Sequence, residues 1–114
     1  DPFNRRTFPW GHEHKEMQAW FSRLGQLRRQ LAVLKTGHLE ILHAKGDCVA
    51  FRRYLLNDRD VFNQVQSGPA EVVVAINRCG KPYDIHVKNR EIHLDGYGYQ
   101  VAIDGELLRL EALV

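Results

Sequence analysis

The sequence predicts a mainly β protein, an antiparallel β-sandwich of about seven short strands preceded by one long amphipathic α-helix. Three features of the 114 residues lead to this prediction. Apolar side chains recur every three or four positions as far as Leu34, which is typical of one buried helix face. After Gly37 the spacing becomes alternating, and turn-forming residues recur every six to twelve positions, as in an all-β domain.

The helix is predicted to end near Gln30, and residues 35–37 are predicted to form the turn that follows it. Gly25 costs about 1 kcal/mol relative to alanine in a helix interior, so we expect another backbone to approach closely there. Each large apolar side chain left in water would forfeit about 1.5–3 kcal/mol. We therefore expect the helix to fold back onto the β-domain or to pair with a second copy. The apolar face comprises Met17, Trp20, Phe21, Leu24, Leu27, Leu31 and Leu34.

Seven stretches either alternate or are continuously apolar, as strands are. They are residues 38–45, 48–56, 71–77, 83–88, 91–94, 97–103 and 107–113. In the first stretch, Leu39, Ile41 and His43 are expected to share one face. The third stretch is apolar enough for burial on both faces. Residues 61–68 fit a helical turn as well as a loop, and the sequence admits either.

Composition and charge argue against several classes of function. The net charge of +2 is too small to indicate a nucleic-acid or membrane partner, and no apolar run approaches the roughly 20 residues that cross a bilayer. The chain starts with Asp1 and its single methionine is Met17, which suits a fragment or an expressed domain. Cys48 and Cys79 could pair, but we expect two reduced thiols in a cytoplasmic protein.

The histidines and glycines do not predict a metal or nucleotide site. His12 and His14 diverge on a helix and have no evident third ligand, so we expect solvated side chains and no metal. His38, His43, His86 and His93 lie on separate predicted strands. Residues 96–98, Gly-Tyr-Gly, indicate a turn, because a nucleotide fingerprint needs a strand-to-helix context. No cofactor is expected.

The first ten residues, DPFNRRTFPW, carry a family resemblance. They resemble the DPFNRxPFPW loop that follows the eighth barrel strand in neopullulanase- and cyclomaltodextrinase-like members of the α-amylase superfamily, glycoside hydrolase family 13. Residues 31–42, LAVLKTGHLEIL, are similar to the segment that joins the last barrel helix to the C-terminal β-domain. The resemblance implies that residues 1–36 are the loop and last helix of a catalytic (β/α)8 barrel otherwise absent. Residues 37–114 would then be the C-terminal β-sandwich domain.

The same resemblance implies a function. The parent enzyme would hydrolyse α-1,4 and α-1,6 glucosidic bonds of starch-type substrates with retention, through a covalent glycosyl intermediate. The three catalytic carboxylates of that superfamily lie on barrel strands upstream of Asp1, so we expect no catalytic residue and no activity in this chain. Asp1 and Arg5 match positions that line the glycone side of the substrate cleft, although Arg5 could instead tie the loop to the barrel. The expected role is structural support of the barrel.

Two other classes of function stay open from the residues alone. An independent carbohydrate-binding module would grip maltooligosaccharide through exposed aromatic rings such as those of Tyr97 and Tyr99. A protein-interaction domain would self-associate through the helix face from Met17 to Leu34. A nucleic-acid contact through the helix arginines is disfavoured, because glutamine and glutamate share that surface.

Overall fold

The computed structural model describes residues 12–87 and 89–108. Within this part of the chain two helices come first, α1 at His12–Gln30 and α2 at Ala32–Thr36. Seven strands follow within the described residues, namely β1 His38–Lys45, β2 Cys48–Tyr54, β3 Glu71–Asn77, β4 Tyr83–Val87, β5 Arg90–Leu94, β6 Tyr99–Ile103 and β7 Glu106–Leu108. All pairings between them are antiparallel. The predicted fold class, a mainly β antiparallel sandwich preceded by a helix, is confirmed.

The strands form two sheets that pack face to face. One sheet has five strands in the order β1-β2-β3-β6-β7, and β4 and β5 form a separate hairpin. The central strand β3 is buried at every position from Val72 to Asn77, as its continuous apolar run predicts. The helices cover one face of the five-stranded sheet and the hairpin covers the other, so the described part of the chain has three layers.

The core on the helix side forms around Trp20 of α1. Its side chain is 1% exposed, and its ring centroid lies 4.7 Å from that of Tyr99 on β6. The buried members of this core are Trp20, Val33, Leu34, Leu55, Val72, Val74, Ile76 and Val101. The helix therefore folds back onto the β-domain, which is one of the two arrangements predicted for its apolar face.

The core on the hairpin side uses smaller side chains. Ala50 on β2 and Ala75 on β3 are direct neighbours in the sheet, and both are fully buried. Their short side chains let the hairpin approach closely, and Ile85 and Ile92, paired across β4 and β5, fill the space above them. Alternate residues of the hairpin face outward and are polar.

The connection from helix to sheet differs from the prediction in two respects. The long helix ends at Gln30 as predicted, but residues 32–36 form a second, short helix after an extended Leu31 with φ −106 and ψ 117. The close backbone approach predicted at Gly25 is wrong, because no atom beyond its own helix backbone and chain neighbours lies within 4 Å of a Cβ placed there. A backbone from another element does approach Gly37, where a Cβ would lie 3.1 Å from the carbonyl oxygen of Tyr54 on β2.

The face predicted for β1 is wrong in part, because the strand contains a bulge. Its register shifts between Ile41 and His43. Ile41 consequently opposes Phe51 on the helix side of the sheet, whereas His43 opposes Ala50 on the hairpin side. Leu39 and Ile41 do share a face, but they are 58% and 57% exposed. The helix is anchored over β6, so the β1 edge of that face stays uncovered.

Strand ends were predicted less accurately than strand centres. β6 begins at Tyr99, two residues later than predicted, because Tyr97 has a positive φ of 55 inside the turn that precedes it. Residues 55–69, all of which are described, form a loop with isolated bridges from Arg59 to Leu56 and Val65 and contain no helical turn. The last predicted strand is seen as β7, and the rest of it lies outside the described residues.

Candidate functional site

The two residues predicted to contact sugar, Asp1 and Arg5, lie outside the described residues, so their role stays a prediction. The side chains of His12 and His14 lie outside the description as well. Within residues 12–87 and 89–108, no group of three or more His, Cys, Asp or Glu side chains could hold a metal ion. No helix in that part of the chain is long and apolar enough to cross a bilayer.

A ladder of alternating charges ties the hairpin to the five-stranded sheet. Arg52 on β2 donates through Nε to Glu40 at 2.5 Å and through Nη1 to Glu71 at 2.7 Å. Glu71 also accepts a bond of 2.7 Å from Nη2 of Arg90 on β5. Partial burial acts to raise the pKa of Glu71, but the bonds from Arg90 and Arg52 hold it below its usual value. This Arg52 ladder links β1, β2, β3 and β5.

An aromatic pair holds Arg52 in place. The Cζ atom of Arg52 lies 3.8 Å from the centroid of the Tyr54 ring. His38 stacks on Tyr54, with ring centroids 5.2 Å apart and planes 28° from parallel. A guanidinium over an aromatic face gains an electrostatic attraction. These contacts orient the guanidinium towards the carboxylates of Glu40 and Glu71, so that Arg52 connects neighbouring strands of the sheet.

A buried carboxylate fixes the loop after β2. Asp60 is 3% exposed and accepts four hydrogen bonds, all from neutral donors. The donors are Thr36 Oγ1 at 2.8 Å, Phe62 N at 2.9 Å, Gln64 N at 3.0 Å and Gln66 Nε2 at 3.0 Å. The backbone N–H of Val61 also donates to the Thr36 carbonyl at 3.0 Å. Residues 56–66, here called the Asp60 loop, are thus attached to the end of α2.

The bonds to Asp60 predict a distinct acid dependence of stability. The N–H of Gln64, followed by the other donors, holds the pKa of Asp60 at about 2, below the ordinary 3.8. The stabilisation is therefore fully present above pH 3.8 and is lost as the pH falls towards about 2. Asp60→Asn, which exchanges an acceptor oxygen for a donor, should lower the melting temperature at neutral pH by several degrees.

Thermal unfolding followed by circular dichroism across that pH range measures the effect. The difference between wild type and Asp60→Asn should shrink between pH 3.8 and about 2. Asp58→Asn is the matched control, because Asp58 is exposed in the same loop and should leave the melting temperature almost unchanged. A difference that stays constant with pH would contradict the assigned role of Asp60.

Among the described residues, apolar side chains are exposed in the Asp60 loop and on the helix-facing side of the sheet. In the Asp60 loop, Phe62 is 69% exposed and Val65 is 65% exposed, although the loop itself is firmly attached. On the sheet, Leu39 and Ile41 are exposed on the edge strand β1, and Val49 is partly exposed on the neighbouring strand β2. A cleft of about 360 Å³ between α1 and the sheet is lined by Phe21, Leu24, Gly25, Arg28, Leu34, Phe51, Arg53 and Val74. Exposed apolar groups of this kind are typical of surfaces that meet another polypeptide.

The two tyrosines that a carbohydrate-binding module would need do not form an exposed platform. Tyr99 packs its ring against Trp20 within the helix-side core. Tyr97 is half-buried, and a Cβ placed at Gly80 would lie 3.3 Å from its ring. Stacking on sugar requires an accessible ring face, so the packing of Tyr99 and the partial burial of Tyr97 do not favour the binding-module alternative.

The outward face of the hairpin carries charge contacts between its two strands. Nδ1 of His93 lies 2.5 Å from Oδ1 of Asp84, and Nε2 lies 3.2 Å from Oδ1 of Asp95. His86 lies 3.2 Å from Glu91 on the opposite strand. The contact with Asp84, followed by that with Asp95, raises the pKa of His93 above its usual 6.5. These side chains are exposed, so their contribution to stability is small.

A small pH dependence of opposite sign follows from His93. Because its folded-state pKa lies above 6.5, its stabilisation is fully present below pH 6.5 and disappears as the pH rises through the raised value. His93→Gln should therefore lower the melting temperature slightly at mildly acidic pH and leave it unchanged at alkaline pH. An NMR titration of the His93 ring checks the direction of the shift. A midpoint at or below 6.5 would contradict the geometry.

Comparison with known proteins identifies relatives of this chain. The amylopullulanase of Thermoanaerobacter thermohydrosulfuricus is 37% identical over 106 residues, which are 93% of this chain and 7% of the relative. The chain is similar to amylopullulanases. The amylopullulanase of Thermoanaerobacterium saccharolyticum is also 37% identical, over 93% of this chain and 8% of the relative. That of Thermoanaerobacterium thermosulfurigenes is 36% identical over 94% of this chain and 6% of the relative.

The amylopullulanases are far longer than this chain, which spans less than a tenth of their length. No family model and no solved structure matches the chain. The homologues support the resemblance to the α-amylase superfamily that residues 1–10 and 31–42 carry. The finer resemblance, to neopullulanase- or cyclomaltodextrinase-like members, stays a prediction.

Proposed function

We propose that this chain is an accessory domain of an α-glucan-degrading glycoside hydrolase and that its role is to support the catalytic barrel. The observation that carries the proposal is the 37% identity with amylopullulanases over 93% of the chain. In the proposed parent, α-1,4 and α-1,6 glucosidic bonds are hydrolysed with retention through upstream carboxylates. Asp1 and Arg5 line the glycone side of the cleft, and residues 37–114 form the supporting domain. The proposed parent is cytoplasmic.

Carboxylates among the described residues support a structural role, because several already hold the fold together. Asp60 accepts four hydrogen bonds and Glu71 bridges two arginines. Oδ1 of Asp104 accepts from the backbone N–H groups of Ala70 and Glu71, both at 3.0 Å. A catalytic acid or nucleophile must instead present an oxygen to the substrate. These three carboxylates therefore stabilise the fold of the domain.

The exposed apolar groups support an interdomain contact. Leu39 and Ile41 lie at the β1 edge of the sheet, and Phe62 projects from a loop that Asp60 holds in place. A firmly held loop loses little conformational entropy when a partner covers it, which favours binding. The partner assigned in this proposal is the catalytic barrel of the same polypeptide.

Assays of the 114-residue chain separate the proposal from its rivals. The chain should release no reducing sugar from pullulan or soluble starch, and calorimetry with maltoheptaose should detect no binding in the micromolar range. Micromolar binding would contradict the purely structural role and favour a carbohydrate-binding module. Light scattering that detects a stable self-complex would favour a protein-interaction domain instead.

A second experiment uses the parent enzyme. Leu39→Ser combined with Ile41→Ser should shorten its half-life at elevated temperature and leave KM for pullulan unchanged, since neither residue belongs to the substrate cleft of the proposal. Lys45→Ser is the control on the same strand, because Lys45 is exposed and polar. An unchanged half-life in the double variant would contradict the contact with the barrel.

A further inference from the structure

Cys48 and Cys79 converge on one buried side chain, that of Asn77 at the end of β3. Asn77 lies directly opposite Cys48 in the β2–β3 ladder and is 0% exposed. Its Oδ1 accepts a hydrogen bond from Cys48 Sγ at 3.4 Å and another from the backbone N–H of Cys79 at 2.9 Å. The second bond turns the chain back two residues after Asn77. The backbone of Cys79 and the thiol of Cys48 thus contact the same oxygen atom, which brings the two cysteines close together.

The two thiols differ in access to solvent. Cys48 is 2% exposed, and burial raises the pKa of its thiol, with smaller contributions from Asp47 and Cys79. Cys79 lies in the turn between β3 and β4 and is partly exposed. Both are free thiols in this structure. An accessible thiol beside a shielded one is the arrangement in which the first is oxidised and the second resolves it.

We propose that Cys48 and Cys79 form an intramolecular disulfide when the protein meets a small disulfide such as oxidised glutathione. The Cys79 thiolate attacks one glutathione sulfur, which forms a mixed disulfide and releases one glutathione thiolate. The Cys48 thiolate then attacks the Cys79 sulfur, forms the Cys48–Cys79 bond and releases the second glutathione thiolate. The two cysteine protons pass to the two glutathiones, and the two electrons that the cysteines lose reduce the glutathione disulfide.

The bond would act as a redox-responsive latch on the end of the sandwich where β3 leads into the hairpin. It replaces the hydrogen bond from Cys48 to Asn77 by a covalent link and closes the chain between residues 48 and 79. Closing such a loop restricts the unfolded chain and so stabilises the folded one. The melting temperature of the oxidised protein should therefore rise by several degrees and return on reduction.

Incubation of the full chain with excess oxidised glutathione at mildly alkaline pH tests the latch. The intact mass should fall by two hydrogen atoms with no free thiol left, and tryptic digestion should join residues 46–52 to residues 79–88. Cys48→Ser is the control and should keep a glutathione adduct on Cys79, since it lacks the resolving thiol.

Three results would overturn the proposal. The first is a wild-type protein that keeps the glutathione adduct as Cys48→Ser does. The second is a disulfide that joins two chains. The third is an oxidised protein with an unchanged or lower melting temperature, which would show that the bond distorts the fold. Cys79→Ser should retain its single thiol unmodified, because Cys48 is buried.

Discussion

Replacing Trp20 by alanine is expected to lower the free energy of unfolding by about 3–5 kcal/mol. Trp20 is 1% exposed and contacts the rings of Tyr99 and Phe21, with centroids 4.7 and 5.0 Å away. Its removal leaves a cavity between α1 and the sheet and takes away both aromatic contacts. Native domains have a free energy of unfolding of only about 5–15 kcal/mol, so this loss would be a large fraction of it. Urea denaturation followed by circular dichroism measures the loss as a lower midpoint.

Phe62→Ala is the matched control for Trp20→Ala. Both substitutions remove an aromatic side chain, but Phe62 is 69% exposed and should change the free energy of unfolding by no more than about 0.5 kcal/mol. Equal losses for the two variants would mean that α1 is not anchored by Trp20. In that case the helix would not belong to the folded core of the domain.

Asn77→Asp is expected to destabilise the protein by about 3–5 kcal/mol, because it buries an uncompensated charge. Nδ2 of Asn77 donates to the carbonyls of Lys81 at 2.8 Å and Asp95 at 3.0 Å. An aspartate would direct a carboxylate oxygen at both carbonyl oxygens in a site that is 0% exposed. Thermal and urea unfolding measure the loss, which should become smaller at acidic pH as the introduced carboxyl group is protonated.

Asn57→Asp makes the same chemical change where it should have little effect. Asn57 is exposed and has a positive φ of 51, a conformation that Asn and Asp both adopt. The free energy of unfolding of the Asn57→Asp variant should stay within about 0.5 kcal/mol of the wild-type value. A comparable loss in both variants would contradict the role of Asn77 as the side chain that joins the turns after β3 and β5.

Periodicity predicted the elements that repeat one environment along their length. The run from Val72 to Ile76 is buried throughout, and its composition reflects that. The alternation in β4 and β5 likewise matches an inner face with Ile85 and Ile92. The face of His43 was mispredicted because period-two counting assumes a constant register, and the bulge after Ile41 breaks that register.

The stabilising polar residues were harder to predict because their partners are distant in sequence. Asp60 ends a run of four polar residues, 57–60, whose composition is typical of an ordinary turn. One of its donors, Thr36, lies 24 residues away in the sequence. Asn77 ends an apolar run, which is a weak signal of a buried amide, and its partners lie in two later turns. For Asp1 and Arg5 the sequence offers a family resemblance, and the substrate cleft that would test them belongs to the parent enzyme of the proposal.

Because the donors around Asp60 are neutral, the attachment of the Asp60 loop should depend little on salt concentration. Dissolved ions weaken attractions between exposed opposite charges, but they have little effect on a buried carboxylate that is held by hydroxyl, amide and backbone groups. The Arg52 ladder consists of partly exposed ion pairs that link the hairpin to the sheet. Concentrated salt should therefore weaken the Arg52 ladder more than the attachment of the Asp60 loop.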